Sequence, residues 1–431
     1  MKTKQATPEL DPERLQANVE QRMRDSGDTW RRYTCKLVTP MYGGGVTPGE
    51  VDREMPIRAT AIRGQLRYWW RLLNRHRPEH LAADGKPDSG KLFESERAIW
   101  GGLGAEGCVA ASRVSVRVEV PAVACRTSPK DGSVLGKMIV TDSGASVDWL
   151  PCNRPLEFIL LLRIETCEEG VLQALRMWAS FGGVGARRRR GLGALEVVDA
   201  DGGRVFGSKT DRDAAKTILY TMPDLADGPC DDYRKAVEAG VQCLVDFRQK
   251  PGLARGTGTG ARPGGSYWPE ANAVRNLTRR ARPDNRFALA SSTPVLFPRA
   301  LFGLPIVFQF KPDERYGDPS ASTLEVADDG ETRRDRFASP LIFSAWPETR
   351  GNKTIYRSVV LLLPTHNDLR KRALKLKTGS STAIAIAQRT WWPIDPARRR
   401  DVLPRGLRHL GGDKSDVLLA FLEYFQKGAT P

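Results

Sequence analysis

Long apolar runs, histidine and paired cysteines are all scarce in this chain of 431 residues. No apolar run approaches the roughly 20 residues of a membrane-spanning helix, and residues 1–28 are too polar for a signal peptide. The seven cysteines include no C-x-x-C pair, which favours reduced thiols. Pro78 interrupts the helix that would aim His76 and His80 at one metal. We therefore expect a cytoplasmic protein with no membrane contact, no metal site and no cofactor.

Positive charge, by contrast, is abundant. Lysine and arginine together number 67 and aspartate and glutamate 51, so the net charge is +16. An excess of this size favours a polyanion such as nucleic acid as the partner. Most of it is arginine, whose planar guanidinium fits a phosphate with two hydrogen bonds. The length allows at least two domains.

The segment from Phe181 to Gly193 concentrates both features, with five glycines and four consecutive arginines, Arg187–Arg190. Glycine lets backbone N–H groups turn towards a ligand, so this loop suits the backbone of a polyanion. It is not a dinucleotide or ATP loop, because it lies between a predicted helix and a predicted strand, the reverse of those motifs. A solvated basic turn is the alternative for an arginine run taken alone.

A predicted helix over residues 60–74 is the second basic element. Apolar residues recur on one face of it, at Ile62, Leu66, Trp69 and Leu73. Arginines recur every four residues beside that face, at Arg63, Arg67 and Arg71. With no acidic residue in the same stretch, they repel one another unless an anion neutralises them. We predict that this stripe and the loop arginines line one continuous groove. Paired tryptophans at helical spacing are more often part of a core.

Periodicity predicts strands over 33–39, 113–120, 156–165 and 194–198, and helices over 60–74 and 168–181. The resulting order, strand-helix-strand-strand-helix-strand, is the ferredoxin-like βαββαβ arrangement. In the second half the patterns predict helices over 233–247, 271–280 and 416–426, and strands over 305–310 and 355–363. Residues 251–266 favour a linker, and 311–335 an exposed polar insertion.

Three motifs together resemble the RAMP superfamily of CRISPR proteins, and specifically the first subunit of the type III-B (Cmr) effector complex. They are the turn Thr39–Gly45 (TPMYGGG), the helix segment Ile62–Arg71 (IRGQLRYWWR) and the loop Gly185–Gly193 (GARRRRGLG). Segments 267–275, 298–308 and 336–342 also resemble that subunit, so the resemblance covers roughly residues 31–363. The four-arginine run is denser than the family pattern.

The resemblance implies an α+β protein with tandem ferredoxin-like (RNA-recognition-motif-like, βαββαβ) domains and insertions. Residues 1–30 would be an N-terminal extension, 31–210 the first domain and 211–431 a second, divergent domain with helical insertions. It implies a non-catalytic subunit that binds the 3′ region of a CRISPR guide RNA and the backbone of the complementary target RNA, beside other Cmr-type subunits. The expected RNA-binding residues are Gly44, Gly45, Arg58, Arg63, Arg67, Trp70, Arg71, Gly183, Gly185, Arg187, Arg188, Arg189, Arg190, Gly191, Arg275 and Arg336.

Two other functions stay open on the sequence alone. One is a RAMP-superfamily endoribonuclease that processes guide RNA, in which Asp52 and Glu54 near the first glycine turn could assist cleavage. No histidine stands beside either glycine-rich segment in the sequence, which speaks against that class. The other is a basic protein that binds only proteins, for which the arginines would be surface decoration.

Overall fold

The computed structural model describes most of the chain. The described residues are 30–47, 49–104, 108–121, 127–139, 148–152, 156–165, 169–225, 228–257, 265–280, 295–310, 318–328, 336–379, 383–392, 402–410 and 416–428. The proposed N-terminal extension, except residue 30, lies outside them.

The first half alternates strands and helices. In chain order its elements are β1 (Arg31–Leu37), α1 (Ala59–Asn74), α2 (Ser89–Trp100), β2 (Gly102–Leu103), β3 (Val109–Ala110), β4 (Val114–Glu119), β5 (Ser128–Pro129), α3 (Val134–Lys137), β6 (Asp148–Trp149), β7 (Glu157–Ile164), α4 (Glu169–Phe181), β8 (Leu195–Val198) and α5 (Lys209–Ala214). All six predicted elements of this half are present, with each boundary within two residues of its prediction.

Four of these strands form an antiparallel sheet in the order β4-β7-β1-β8. Their side chains alternate, as the period of two in a strand requires. Cys35, Phe158 and Leu160 are fully buried against α1 and α4, whereas Ile159 on the other face of the sheet is half-buried. The strand-helix-strand-strand-helix-strand order predicted for this half is confirmed, with α2 and the short hairpins inserted between its members.

The second half follows with β9 (Ile218–Thr221), α6 (Tyr233–Gln249), α7 (Glu270–Thr278), β10 (Ile306–Phe308), β11 (Ser322–Val326), β12 (Leu341–Arg350), β13 (Lys353–Leu362), β14 (Leu374–Thr378), β15 (Ile384–Ile386), α8 (Gln388–Trp391) and α9 (Val417–Gln426). Its strands form two antiparallel sheets, β12-β13-β9 and β10-β11-β14-β15. The protein is therefore an α+β fold with several small antiparallel sheets.

The sheet β12-β13-β9 connects the two halves, because both of its faces are buried where the start of β12 pairs with the end of β13. Ile342 and Leu361 belong to the hydrophobic core of the first half, beside α1 and α4. Phe343 and Leu362, on the opposite face, belong to a second core that contains α6 and α9. The aromatic rings of Phe181 and Trp346 stack across the same junction, with centroids 6.1 Å apart.

One prediction for the second half is wrong. Residues 311–335 were expected to form an exposed polar insertion, and of these 311–317 and 329–335 lie outside the described residues. In the described part, Ser322–Val326 is a mostly buried strand that pairs with β10 on one side and β14 on the other. Leu324 and Val326 fill the core, and the polar residues around them hid this short apolar pattern. No helix among the described residues is long and apolar enough to cross a membrane.

Candidate nucleic-acid interface

The turn Thr39–Gly45 and the loop Gly182–Gly193 lie side by side, although about 140 residues of sequence separate them. The Ala186 N–H donates to the carbonyl of Tyr42 at 2.6 Å, and the Gly193 N–H donates to the carbonyl of Pro40 at 2.9 Å. The Thr39 hydroxyl donates to the carbonyl of Gly191 at 2.6 Å. Backbone hydrogen bonds therefore join the two glycine-rich motifs into one surface.

Two glycines make this contact possible. A Cβ built on Gly185 would stand 2.6 Å from Cγ of Met41 and 2.7 Å from the carbonyl oxygen of Tyr42, and its φ of +73° lies in the left-handed region. Gly44, at φ +97°, would place a Cβ 3.1 Å from Cα of Gly185. A side chain at either position would separate the two segments.

A cleft of about 420 Å³ lies between these segments and the start of α1. Its lining includes Gly44, Arg58, Gln65, Gly183 and Gly185. The guanidinium of Arg58 donates to the carbonyl of Gly44 at 2.6 Å. Among the described residues, the N–H groups of Gly44 and Gly185 donate to no other group. Unpaired N–H groups beside a cation are suited to an anion such as a phosphate.

The loop arginines point in different directions from a single 3₁₀ turn, Arg188–Arg190. Arg187, at φ +55°, is exposed, and its side chain makes no hydrogen bond or ion pair within the described residues. Arg188 donates to the side-chain oxygen of Gln65 on α1 and, at 3.2 Å, to the carbonyl of Gly185. The turn is therefore held to α1 through Arg188.

Arg189 connects the loop to both halves of the protein. Its guanidinium donates to the carbonyl of Ser339, just before β12, and to the hydroxyl of Tyr68 at 3.3 Å. It also lies 5.9 Å from the centre of the Tyr68 ring. Arg188 and Arg189 therefore use some of their hydrogen-bond donors to hold the loop in place.

Burial makes the charge of this loop costly. It lowers the pKa of Arg188 to about 10, with a smaller contribution from the charge of Arg189. It also lowers the pKa of Arg190 to about 10, and the charge of Arg187 lowers it further. Both groups stay charged at neutral pH, so an approaching anion would relieve the cost of keeping these cations partly out of water.

The arginine stripe of α1 does not need an external anion. Glu96 on α2, which is 1% exposed, accepts hydrogen bonds from Nε of Arg67 at 2.6 Å and from Nε of Arg71. Arg63 donates to the carbonyl of Trp100 at the end of α2. The absence of an acid in the same stretch led to the inference that an anion must neutralise these arginines, but Glu96 on the next helix supplies the negative charge.

The prediction of one continuous groove is also wrong. Consecutive residues of a helix are about 100° apart, so Arg63 and Gln65 project about 160° from each other around α1. Gln65 and Tyr68 contact the loop arginines, whereas Arg63 and Arg67 contact α2. The stripe and the loop arginines therefore lie on different sides of α1.

Trp70, Arg275 and Arg336 are also separate from the cleft. Trp70 is 3% exposed, so its ring packs inside the protein and offers no surface on which a base could stack. Arg275 on α7 forms an ion pair with Asp318 at 2.9 Å. Arg336 is exposed, three residues before Ser339. The structure thus brings together Gly44, Gly45, Arg58, Gly183, Gly185 and the loop from Arg187 to Gly191, and not the other expected residues.

Two of the groups that could take part in RNA cleavage, Asp52 and His80, have structural partners. Asp52 is exposed, and its carboxylate accepts the N–H groups of Glu54 and Met55 at 3.0 and 2.9 Å, which lowers its pKa. His80 is buried between the carbonyl of Asn74 and the hydroxyl of Ser95, at 2.8 and 2.9 Å. Within the described ranges, no group of three or more acidic, histidine or cysteine side chains is arranged to hold a metal ion.

Sequence reasoning missed two kinds of residue at this interface. The first is Glu96, since α2 was not predicted. A local signal for α2 does exist. Asp88 precedes its first residue and accepts hydrogen bonds from the N–H groups of Gly90 and Lys91, and aspartate is a typical residue at a helix start. The second is the pair Gln65 and Tyr68, whose contacts depend on where a loop distant in sequence folds back, and no local signal marks them.

Comparison with known proteins gives a match over part of the chain. Neither the curated proteins nor the solved structures give a match. Residues 34–196, which include most of β1 together with α1, α4, both glycine-rich segments and the loop arginines, match the family model of the RAMP superfamily. This match supports membership of the RAMP superfamily.

Proposed function

We propose that this chain is a non-catalytic RNA-binding subunit of a cytoplasmic type III-B (Cmr) CRISPR effector complex. It would contact the 3′ region of the guide RNA and the backbone of the target RNA, beside other subunits of the complex. RAMP-superfamily proteins are associated with type III CRISPR-Cas complexes and with RNA binding. The motifs 267–275, 298–308 and 336–342 support the finer assignment, since they lie outside the matched region and resemble the Cmr first subunit.

The observation that carries the proposal is the joining of the two glycine-rich segments. It produces a cleft lined by Arg58 and by Gly44 and Gly185, whose N–H groups donate to no described residue. The exposed Arg187 follows Gly185 by two residues. Backbone N–H groups and arginines contact phosphates without reading bases. This suits a subunit of a complex in which base pairing reads the sequence and protein holds the backbone.

The arrangement of strands supports a repeated fold, and we propose that both halves are ferredoxin-like. In the second half, β9, α6, β12, β13 and α9 follow in the order strand-helix-strand-strand-helix, and the sheet order β12-β13-β9 matches β4-β7-β1 of the first half. The second copy would lack the fourth strand, and β10, β11, β14 and β15 would be insertions.

Filter binding of the purified chain to a single-stranded RNA tests the function. Arg187→Glu should weaken binding about tenfold at low salt, because it reverses an exposed charge two residues after Gly185, which lines the cleft. Arg117→Glu is the matched control, since Arg117 is exposed on β4 and the variant changes the net charge equally. Equal losses in both variants, or no binding by the unmodified chain alone or with its partner subunits, would contradict the proposal.

The absence of catalysis is tested separately. End-labelled guide-repeat RNA and target RNA should stay intact during incubation with the chain, with or without magnesium. A defined product that a single substitution abolishes would favour the endoribonuclease alternative.

A further inference from the structure

A second group of cations lies where the glycine-rich loop meets the second half. Gly191 lies against α6, since a Cβ built on it would stand 2.2 Å from Cγ1 of Val237. Arg190, immediately before it, is half-buried. Its guanidinium makes no hydrogen bond or ion pair with any described residue. This arginine therefore enters the junction between the halves without a partner of opposite charge.

Arg248, in the last turn of α6, is in the same situation. Its Nε is buried and has no hydrogen-bond partner within the described part of the chain. Its guanidinium lies 5.8 Å from the centre of the Phe302 ring. Burial and the neighbouring charges of Arg299 and Arg190 together lower the pKa of Arg248 to about 9.

Arg299 completes the group, and it has the one acidic partner that the described residues supply there. Its Nε is 3.1 Å from Oε1 of Glu270, and its backbone N–H donates to the same oxygen at 2.8 Å. Glu270 is fully buried. Three guanidiniums therefore stand near a single carboxylate, which leaves an excess of two positive charges in a half-buried place.

Such an excess is unusual, because a charge removed from water is normally paired. A phosphate diester would supply the missing negative charge and could accept hydrogen bonds from two guanidiniums at once. An RNA strand is the favoured source, because Arg187 and Arg190 lie at the two ends of one short turn. A strand held at the cleft by Arg187 would pass close to Arg190.

We propose that Arg190, Arg248 and Arg299 form a second phosphate site, which binds the RNA backbone at the junction of the two halves. The identification of the ligand as RNA rests on the proposed function. That the ligand is an anion follows from the three arginines alone. It would extend the RNA path from the cleft of the first half onto α6 and the residues around Arg299.

Methionine variants separate binding from folding. Arg248→Met and Arg190→Met each replace an unpaired, half-buried cation with an apolar chain of similar length, so the RNA-free protein should melt at the same or a higher temperature. RNA affinity should fall about tenfold, and the slope of log affinity against log salt should fall by about 0.7 for each lost phosphate contact. Arg350→Met is the control, since Arg350 is 42% exposed and paired with Asp224 at 3.1 Å, and its affinity should change less than about twofold.

The outcomes distinguish this inference from the proposed function. If the unmodified chain binds RNA, and both methionine variants bind it with the same affinity and salt slope, the inference is wrong and the proposed function stands. If the chain binds no RNA, but pyrophosphate raises the melting temperature of the unmodified chain and not of Arg248→Met, the anion site stands without its RNA ligand. Stabilisation by poly-glutamate and not by RNA or pyrophosphate would assign the site to an acidic protein segment and overturn the proposal.

Discussion

Arg67 on α1 and Glu96 on α2 form a hydrogen-bonded ion pair, 2.6 Å between Nε and Oε1. Glu96 is almost completely buried, and Arg71 shares its other oxygen. This arrangement changes the meaning of the arginine stripe on α1. Three like charges along one helix face predicted a nucleic-acid surface, but the same three residues attach α2 to α1.

The first prediction concerns this stripe. Replacing Arg63, Arg67 and Arg71 together by alanine should lower the free energy of unfolding by about 2–3 kcal/mol, because it leaves the buried carboxylate of Glu96 unpaired. Because the stripe faces α2, the salt slope of RNA binding should stay unchanged. Urea unfolding and a filter-binding salt series measure the two effects. Adding Glu96→Gln to the triple variant should restore part of the stability, because it removes the unpaired charge. A flatter salt slope in the triple variant would instead show that the stripe contacts RNA phosphates.

Much of the fold follows from local sequence patterns. The helix over residues 60–74 and the strand over 156–165 were predicted almost to the residue, because apolar spacing reports directly on which face of an element is buried. The strand Leu341–Arg350 was missed, although its partner β13 was found. Its first five residues are all buried, so it lacks the alternation that marks a strand with one exposed face.

The site was predicted in composition more than in arrangement. The two glycine-rich motifs and Arg58 do converge. This could be predicted because clustered glycines mark positions where backbone segments can approach closely. The partner of each arginine could not be predicted. Arg188 reaches Gln65, Arg189 reaches Ser339 and Arg67 reaches Glu96 only after the chain has folded, and like-charge spacing along one helix says nothing about an acid on the next.

The second prediction concerns Gly185. Gly185→Ala should destabilise the protein by at least about 2 kcal/mol, since the new Cβ would meet Met41 and the carbonyl of Tyr42 at a left-handed backbone position. RNA binding should weaken with it. Gly64→Ala is the matched control: Gly64 lies inside α1 with nothing within 4 Å of its Cβ position, so alanine there should stabilise the helix by about 0.5–1 kcal/mol. Thermal unfolding measures the stability of both variants. If Gly185→Ala were more stable than Gly64→Ala, the loop would not pack against the turn as described.

The third prediction concerns Trp346, which lies at the junction of the halves. Its ring stacks on Phe181, meets Phe206 edge-on at 5.6 Å and lies 5.0 Å from the guanidinium of Arg212. Trp346→Ala should therefore cost about 2–3 kcal/mol, less than a fully buried tryptophan because this ring is only partly covered. Phe206→Ala, which removes a ring that is 46% exposed, should cost less than half as much. Equal losses in denaturant unfolding would show that the stack on Phe181 does not hold the halves together.

The fourth prediction is a pH dependence at Asp211. Its carboxylate, 1% exposed, accepts hydrogen bonds from Nε and the terminal nitrogen of Arg176 at 2.8 and 2.9 Å, and from the N–H and hydroxyl of Ser208 at 2.9 Å each. Burial alone would raise the pKa of Asp211, but the bonds from Arg176 and Ser208 outweigh burial and lower it. The hydrogen bonds that Arg176 donates to Asp211 and Glu169 in turn raise the pKa of Arg176.

A folded-state pKa below the unfolded value gives stability that is fully present above the unfolded pKa, about 3.9 for aspartate, and is lost as the pH falls through the folded pKa. Asp211→Asn should therefore melt below the unmodified chain by a constant margin from about pH 7 to pH 5, and the margin should shrink as the pH falls below about 4. Asp213→Asn is the control, since Asp213 is 60% exposed and pairs only with Lys209 at 2.8 Å among the described residues, so its margin should be under about 0.5 kcal/mol at every pH. A margin for Asp211→Asn that stayed constant down to pH 3 would mean that the ionised carboxylate does not hold α5 against α4.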